Sequence, residues 1–236
     1  MRYENRSIRH ELKYYINEKT AFLLRTLLRN VTKPDENMND PNGYLVTSIY
    51  FDDVYNSALY EKISGSNFRK KFRIRLYNLD DSLIKLECKE KYEQYISKIS
   101  AELTRAEYDS ILKGDYEFLK DRTEEVCKQL YIHYKTRRIH PVVVVEYIRE
   151  AYTMSAGNVR ITFDKEISSS IGSLDVLSKD YITKRALEEG NIVLEIKYDD
   201  YLPEYIYQVF NNIQAQQCAI SKYVMCRDEK RKVEHR

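Results

Sequence analysis

The chain has 236 residues, 43% of them apolar and 32% charged, with a formal net charge of +2. That composition suits a soluble globular protein with a sizeable core, as one large domain or two small ones, and excludes a disordered chain. It also excludes a global basic field that would draw in nucleic acid or an anionic membrane, so any anion site has to be local.

Alternation in "IRHELKYYI" predicts a strand over 8–16, and Asn17 then caps a helix. The expected apolar stripe of that helix includes Phe22, Leu23, Leu27, Leu28 and Val31. A loop at "KPDENMNDPNG" leads to a strand at "YLVTSIYF". A short helix at "VYNSALYEKI" follows, with Asp52 and Asp53 placed as its N-terminal acids. Strands are expected at 68–77, 82–91 and about 94–101, joined by short turns that favour antiparallel hairpins. "TRAE" over 104–107 is a capping box that opens a helix closed by Gly114, and helical segments continue to about Tyr134. Strands return at 141–152, 158–167 and 191–198. A further helix begins at Pro203, and "RDEKRKVEHR" reads as a frayed, solvated charge run. No linker or repeat divides the chain. The expectation is one α+β domain over 1–236 with about eight strands and a charged tail at about 228–236.

Cys88, Cys127, Cys218 and Cys226 have no C-x-x-C spacing, and His10, His133, His140 and His235 are scattered. Neither a zinc site nor a disulfide framework is expected. No Gly-rich phosphate loop, apolar signal core or run of membrane-spanning length occurs, which points to a reduced, cytoplasmic setting.

The charge sits in a regular place. In "KFRIRLYN", Phe72, Ile74 and Leu76 share one strand face, and Lys71, Arg73, Arg75 and Tyr77 share the other. Arg9, Glu11 and Lys13 oppose Ile8, Leu12 and Ile16. Lys85, Glu87, Lys89 and Lys91 oppose Ile84, Leu86 and Cys88. Tyr147 goes with Arg149, Arg160 with Thr162 and Asp164, and Glu195 with Lys197. An antiparallel sheet with one wet face would explain any single strand. The recurrence of E-x-K at 11–13, 87–89 and 195–197 fits better with a closed barrel that has a polar lumen and an apolar exterior covered by helices. Crowded Lys and Arg side chains there repel one another unless a polyanion lies across them. Arginine forks and lysine point charges suit phosphate oxygens, and carboxylates together with phosphates suit Mg²⁺ or Mn²⁺. The expected anion is a chain of phosphates.

The motifs "HELKY", "SIYFDD", "RKKFRIRLYN", "KLECKEK", "VVEYIREAY", "VRITFD", "VLEIKYDDYLP" and "ISKY" occur in order between about residues 6 and 227. Together they resemble the VTC domain, the polyphosphate polymerase domain of the vacuolar transporter chaperone family, within the triphosphate tunnel metalloenzymes. The resemblance implies a closed eight-stranded antiparallel tunnel that makes polyphosphate from ATP with Mn²⁺ or Mg²⁺. It implies basic tunnel residues at Lys13, Arg73, Arg75, Lys89, Arg149, Arg160 and Lys222. It also implies a phosphate-contacting Ser221, a metal-binding Glu195 and a base-stacking Tyr147. Of these, Lys222, Arg73 and Arg75 are the expected catalytic set, and Lys197 is held in reserve beside Glu195. Glu11 is expected to pair with Lys13 or a neighbouring arginine rather than to bind metal. Expected partners are ATP, triphosphate and polyphosphate, with no nucleic acid and no membrane span. A triphosphatase on the same tunnel is the alternative, and a non-catalytic polyphosphate or nucleotide sensor is the second.

Overall fold

The computed structural model describes residues 2–3, 6–7, 9–93, 95–211, 215 and 217–234. In chain order the elements are β1 (Arg2–Tyr3), β2 (Arg6–Ser7), β3 (His10–Asn17), α1 (Glu18–Leu28), β4 (Lys33–Pro34), β5 (Tyr44–Asp52) and α2 (Ser57–Ile63). Then come β6 (Phe68–Tyr77), β7 (Asp80–Tyr92), β8 (Tyr95–Leu103), α3 (Arg105–Leu112), α4 (Glu125–Arg137), β9 (His140–Met154) and β10 (Val159–Ile171). The last are β11 (Ile182–Arg185), β12 (Asn191–Tyr198), α5 (Glu204–Asn211) and α6 (Lys222–Glu234). The class is α+β, with six α-helices and a large antiparallel sheet among the described residues. The eight long strands follow the order β3-β12-β10-β9-β5-β6-β7-β8. Among those residues no hydrogen-bonded ladder joins β3 to β8, so backbone pairing leaves the sheet open.

The chain divides into two compact units. The first comprises Met1–Leu45, Tyr147–Ile167 and Leu187–Ser221. Its strands pair as β3-β12-β10, and Ile16, Ile161, Phe163, Leu194 and Ile196 pack against α1 and α5. Asn17 caps α1 as expected, its side chain accepting from the Thr20 N–H at 2.9 Å. The expected stripe of α1 is corrected. Ala21, Leu24 and Leu28 are the buried positions, whereas Phe22, Leu23, Leu27 and Val31 are exposed. The Arg25 guanidinium donates twice to Glu150 on β9, at 2.7 and 2.9 Å, and this pair sets the roll of the helix. Gly43 has φ +97°, and a Cβ there would lie 2.4 Å from the Arg149 carbonyl oxygen. Only glycine lets that loop press onto β9 at this point. Ile8, at the start of the expected first strand, lies outside the described residues.

The second unit comprises Val46–Glu146, Ser168–Ala186 and Lys222–Arg236. Its strands pair as β5-β6-β7-β8, and the apolar face of β6 and β7 is covered by α3 and α4 through Tyr108, Ile111, Cys127 and Leu130. Both halves of the Thr104–Glu107 capping box form. Asp52 and Asp53 accept from the backbone N–H groups of Ala58, Leu59 and Ser57 at the start of α2, as their placement implied. Gln94 and the last two residues of the expected tail lie outside the description. The described part of that tail is not frayed but belongs to α6, anchored by buried Tyr223, Cys226 and Arg227. β11 had no sequence signal, because "ITKR" is short and carries no alternating apolar pair.

Candidate functional site

Antiparallel register places charged residues in lateral rows, because register partners share a face. In the second unit one row is Lys71–Lys89–Lys98, across β6, β7 and β8. The next is Tyr50–Arg73–Glu87–Ser100, from β5 to β8, and the third is Ser48–Arg75–Lys85–Glu102. Phe72, Ile74 and Leu76 point the opposite way into the core, as the alternation required. Glu87 is the only buried carboxylate on this panel among the described residues, and several cations converge on it. It accepts from Arg73 at 2.7 Å and from Lys98 at 2.8 Å, and Arg75 lies 4.0 Å away. Burial alone would raise its pKa, but Arg73, Arg75 and Lys98 outweigh that and bring it down to about 2.

Arg73 also donates to the Tyr50 hydroxyl at 2.9 Å, and Arg75 donates to Ser48 Oγ at 3.1 Å. The Tyr50 phenol is buried, which would raise its pKa, yet the charges of Arg73, Arg75 and Lys222 hold it below the ordinary tyrosine range. Lys222, the first residue of α6, therefore acts on the same panel as the two arginines. Tyr223 beside it takes the Lys71 ammonium over its ring at 4.7 Å and donates its hydroxyl to Asp52 at 2.6 Å.

The first unit carries a second charged face. Its rows are Lys13–Glu195–Thr162 and Glu11–Lys197–Arg160, across β3, β12 and β10. Lys13 bridges Glu11 at 3.0 Å and Glu195 at 3.2 Å. Lys197 bonds Glu195 and lies 3.9 Å from Glu11. The two lysines respond differently. For Lys13, burial is outweighed by Glu195 and Glu11, and its pKa rises above the ordinary lysine range. For Lys197, burial prevails and Arg149 adds to it, lowering its pKa to about 8. Arg149 donates through Nε and Nη2 to Asp164 at 2.6 and 2.7 Å, a buried fork that keeps its charge secure. Its guanidinium lies 5.1 Å from the centre of the Tyr147 ring, and Tyr147 is 3% exposed. Arg160 pairs with Asp35 at 3.0 Å and donates to the Tyr44 hydroxyl at 3.3 Å. Ser221 immediately precedes α6.

The expected residues thus fall in two units. Arg73, Arg75, Lys89 and Lys222 belong to the second unit, and Lys13, Tyr147, Arg149, Arg160, Glu195 and Ser221 to the first. Ion pairs match expectation for Glu11 with Lys13. Residues that sequence reasoning passed over are Glu87 and Asp164, the counter-ions, and Tyr50 and Ser48, which hold the arginines. Glu87 had a signal in its E-x-K repeat; the others needed register.

The two faces differ in balance. On the first, Glu11, Glu195, Asp164 and Asp35 answer Lys13, Lys197, Arg149 and Arg160. On the second, positive charge predominates around Glu87. The donors also fit a hard divalent cation. Glu195 and Glu11 share the same two ammonium groups, so their carboxylates are close, and beside Glu195 the Thr162 hydroxyl is buried with no hydrogen-bond partner. Among the described residues no three His, Cys, Asp or Glu side chains cluster. A cation here would rely on one or two carboxylates plus substrate oxygens, which is how Mg²⁺ and Mn²⁺ bind.

The family model described as the VTC domain matches residues 8–228. The chain belongs to the VTC domain family. VTC domains fall within the triphosphate tunnel metalloenzymes, a superfamily that uses divalent metal ions. Among solved structures, this VTC chain resembles a Hippeastrum protein described as a candidate adenylyl cyclase with a dominant triphosphatase activity. Identity is 13%, the TM-score is 0.56, and the match covers 93% of this chain and 95% of that one. A candidate adenylate cyclase from Bacillus halodurans matches at 13% identity with a TM-score of 0.45, covering 87% of each chain. No curated protein matches the sequence. No described helix is long and apolar enough to cross a membrane.

Proposed function

We propose that this VTC domain is a cytoplasmic, ATP-dependent polyphosphate polymerase, acting as one catalytic domain. The observation that carries the reading is the cationic panel around Arg73, Arg75 and Glu87 in a chain of this family. Such a panel suits a polyanion whose phosphates are repeated along its length. The family resemblance assigns phosphate binding to Arg73, Arg75, Lys89 and Lys222 in the second unit and to Lys13, Arg149 and Arg160 in the first.

In the proposed reaction a terminal oxygen of the growing chain attacks the γ-phosphorus of ATP. The bond to the β-phosphate oxygen breaks and ADP leaves. Such transfers need in-line positioning and neutralised charge more than covalent chemistry. Arg73 and Arg75, held by Tyr50 and Ser48, fork onto the transferring phosphoryl group. Lys222 neutralises charge that develops there, and Ser221 donates to a phosphate oxygen. Lys13, Lys89, Arg149 and Arg160 hold the remaining phosphates, and Tyr147 stacks on the base. Glu195, with Glu11 nearby, would hold Mn²⁺ or Mg²⁺, which when bound neutralises phosphate oxygens.

The triphosphatase activity of the Hippeastrum protein keeps hydrolysis as the second reading, with water as acceptor. Pure protein incubated with ATP and Mn²⁺, followed by resolution of the products, tests both. Long phosphate chains with ADP support the polymerase. Orthophosphate without chains overturns it in favour of hydrolysis.

A further inference from the structure

A second basic feature lies within the second unit, outside the strand panel. A cavity of about 550 Å³ is lined by Arg227, Lys230 and Arg231 of α6, by Asn56, and by His140 and Val142 at the start of β9. The spacing i, i+3, i+4 puts the three cations on one side of the helix, where they repel one another. At the usual helical rise, Lys230 sits about 12 Å along α6 from Lys222.

The partners of the two arginines do not cancel their charge. The Arg227 guanidinium is buried, 9% exposed, and donates to the Asn56 side-chain oxygen, a neutral group. Among the described residues no carboxylate lies within ion-pair distance of Arg227 or Arg231. Lys230 donates to the Val142 carbonyl at 2.8 Å. The one acid lining the cavity, Asp53, already accepts from the Tyr55 and Ser57 N–H groups. Attraction of cations to the helix C-terminus accounts for Arg231 and Lys232 in the last turn, but not for Arg227, one turn earlier and buried. A buried guanidinium matched only by an amide is costly unless an anion completes it.

We infer that this cavity binds a phosphate chain, either a free oligophosphate or the phosphate tail of a nucleotide, at a site separate from the strand panel. Three donors converging from one helix face match the several oxygens of linked phosphates better than a single carboxylate. The volume is within the range of small-molecule sites. The inference stands whether the panel polymerises or hydrolyses.

Lysine acetylation with mass spectrometry reads both places on the intact wild-type chain, with tripolyphosphate as probe in metal chelator. Lys230 should be protected with a half-effect concentration of its own. Arg231→Glu should raise that concentration by roughly tenfold or more, as reversing one charged contact does, and leave protection of Lys89 unchanged. A parallel titration with ATP separates the sources: stronger protection by tripolyphosphate assigns free oligophosphate, and stronger protection by ATP assigns the nucleotide. Protection of Lys89 without protection of Lys230 overturns the inference. So does Lys230 protection that neither Arg231→Glu nor Arg231→Ala shifts. Protection of Lys230 alone would leave the cavity assigned and count against the panel.

Discussion

Glu87→Gln tests the electrostatic account of the panel most directly. The substitution keeps the shape of a side chain that is 2% exposed and removes the charge on which Arg73, Arg75 and Lys98 converge. The carboxyl is brought from 4.5 down to about 2, and at 1.36 kcal/mol per pKa unit that shift corresponds to about 3 kcal/mol. Arg73 at 2.7 Å is the largest favourable contributor, and Arg75 is the next. The Lys98 side chain is half exposed, so water screens its share. For a chain of this size the loss lowers Tm by roughly 6–12 °C at neutral pH. The sign of the pH dependence follows. A carboxyl with a depressed folded-state pKa stabilises fully above its unfolded value near 4.5, and that contribution disappears as pH falls toward about 2. Thermal unfolding at neutral pH and at pH ~3 should therefore show wild type and variant converging in acid. Tripolyphosphate should also bind the variant more tightly, because a like charge has left the panel. A variant that matches wild type at neutral pH, with the same acid dependence, would refute the idea that Glu87 is the counter-ion of the arginines.

Four further outcomes are expected. Arg75→Ala should abolish turnover and weaken tripolyphosphate binding with the fold retained; normal ATP turnover would remove Arg75 from the site. Glu195→Gln should abolish metal-activated turnover while triphosphate binding holds or tightens, and unchanged Mn²⁺ activation in a metal titration would exclude the proposed ligand. Lys222→Leu should lower kcat on the order of 10², with a much smaller loss in triphosphate affinity, since other cations still hold the polyanion. Equal losses in both would make Lys222 a binding residue only. Tyr147→Ala should raise KM for ATP and leave tripolyphosphate affinity unchanged; equal effects on both ligands would show that the ring serves to support Arg149 and not to stack on a base.

Strand faces were legible because a period of two is a local property. Phe72, Ile74 and Leu76 could be assigned to the core, and Arg73 and Arg75 opposite them, from ten residues alone. The rows were not legible, since Lys71, Lys89 and Lys98 meet only through the registers of β6 with β7 and of β7 with β8. For the same reason the E-x-K repeat flagged Glu87 without showing that it serves Arg73. The stripe of α1 was misread because several positions are apolar and the deciding contact is Arg25 with Glu150, 125 residues away. The tail was misread because every residue of "RDEKRKVE" but Val233 is charged, and only burial of Arg227 and Cys226 shows that one side of the helix is inward.

These counter-ions bear on how a phosphate chain could bind to a protein of nearly neutral net charge. Isolated buried cations would destabilise the ligand-free chain, so the fold supplies carboxylates: Glu87 to Arg73 and Lys98, Asp164 to Arg149, Asp35 to Arg160, and Glu195 with Glu11 to Lys13. The two kinds of pair have different prospects. Asp164 is wholly buried in a two-point fork with Arg149, and separating them would strand both charges. That pair therefore acts as a fixed support. Glu87 instead is shared among three cations, one of them half exposed, so a phosphate oxygen can take over one partner while Glu87 keeps the others. Binding at the panel then becomes an exchange of counter-ions, with little charge bared at any stage. An arginine pair on one strand is stable in the free chain because a single glutamate on the next strand holds the place that the proposed reading gives to phosphates.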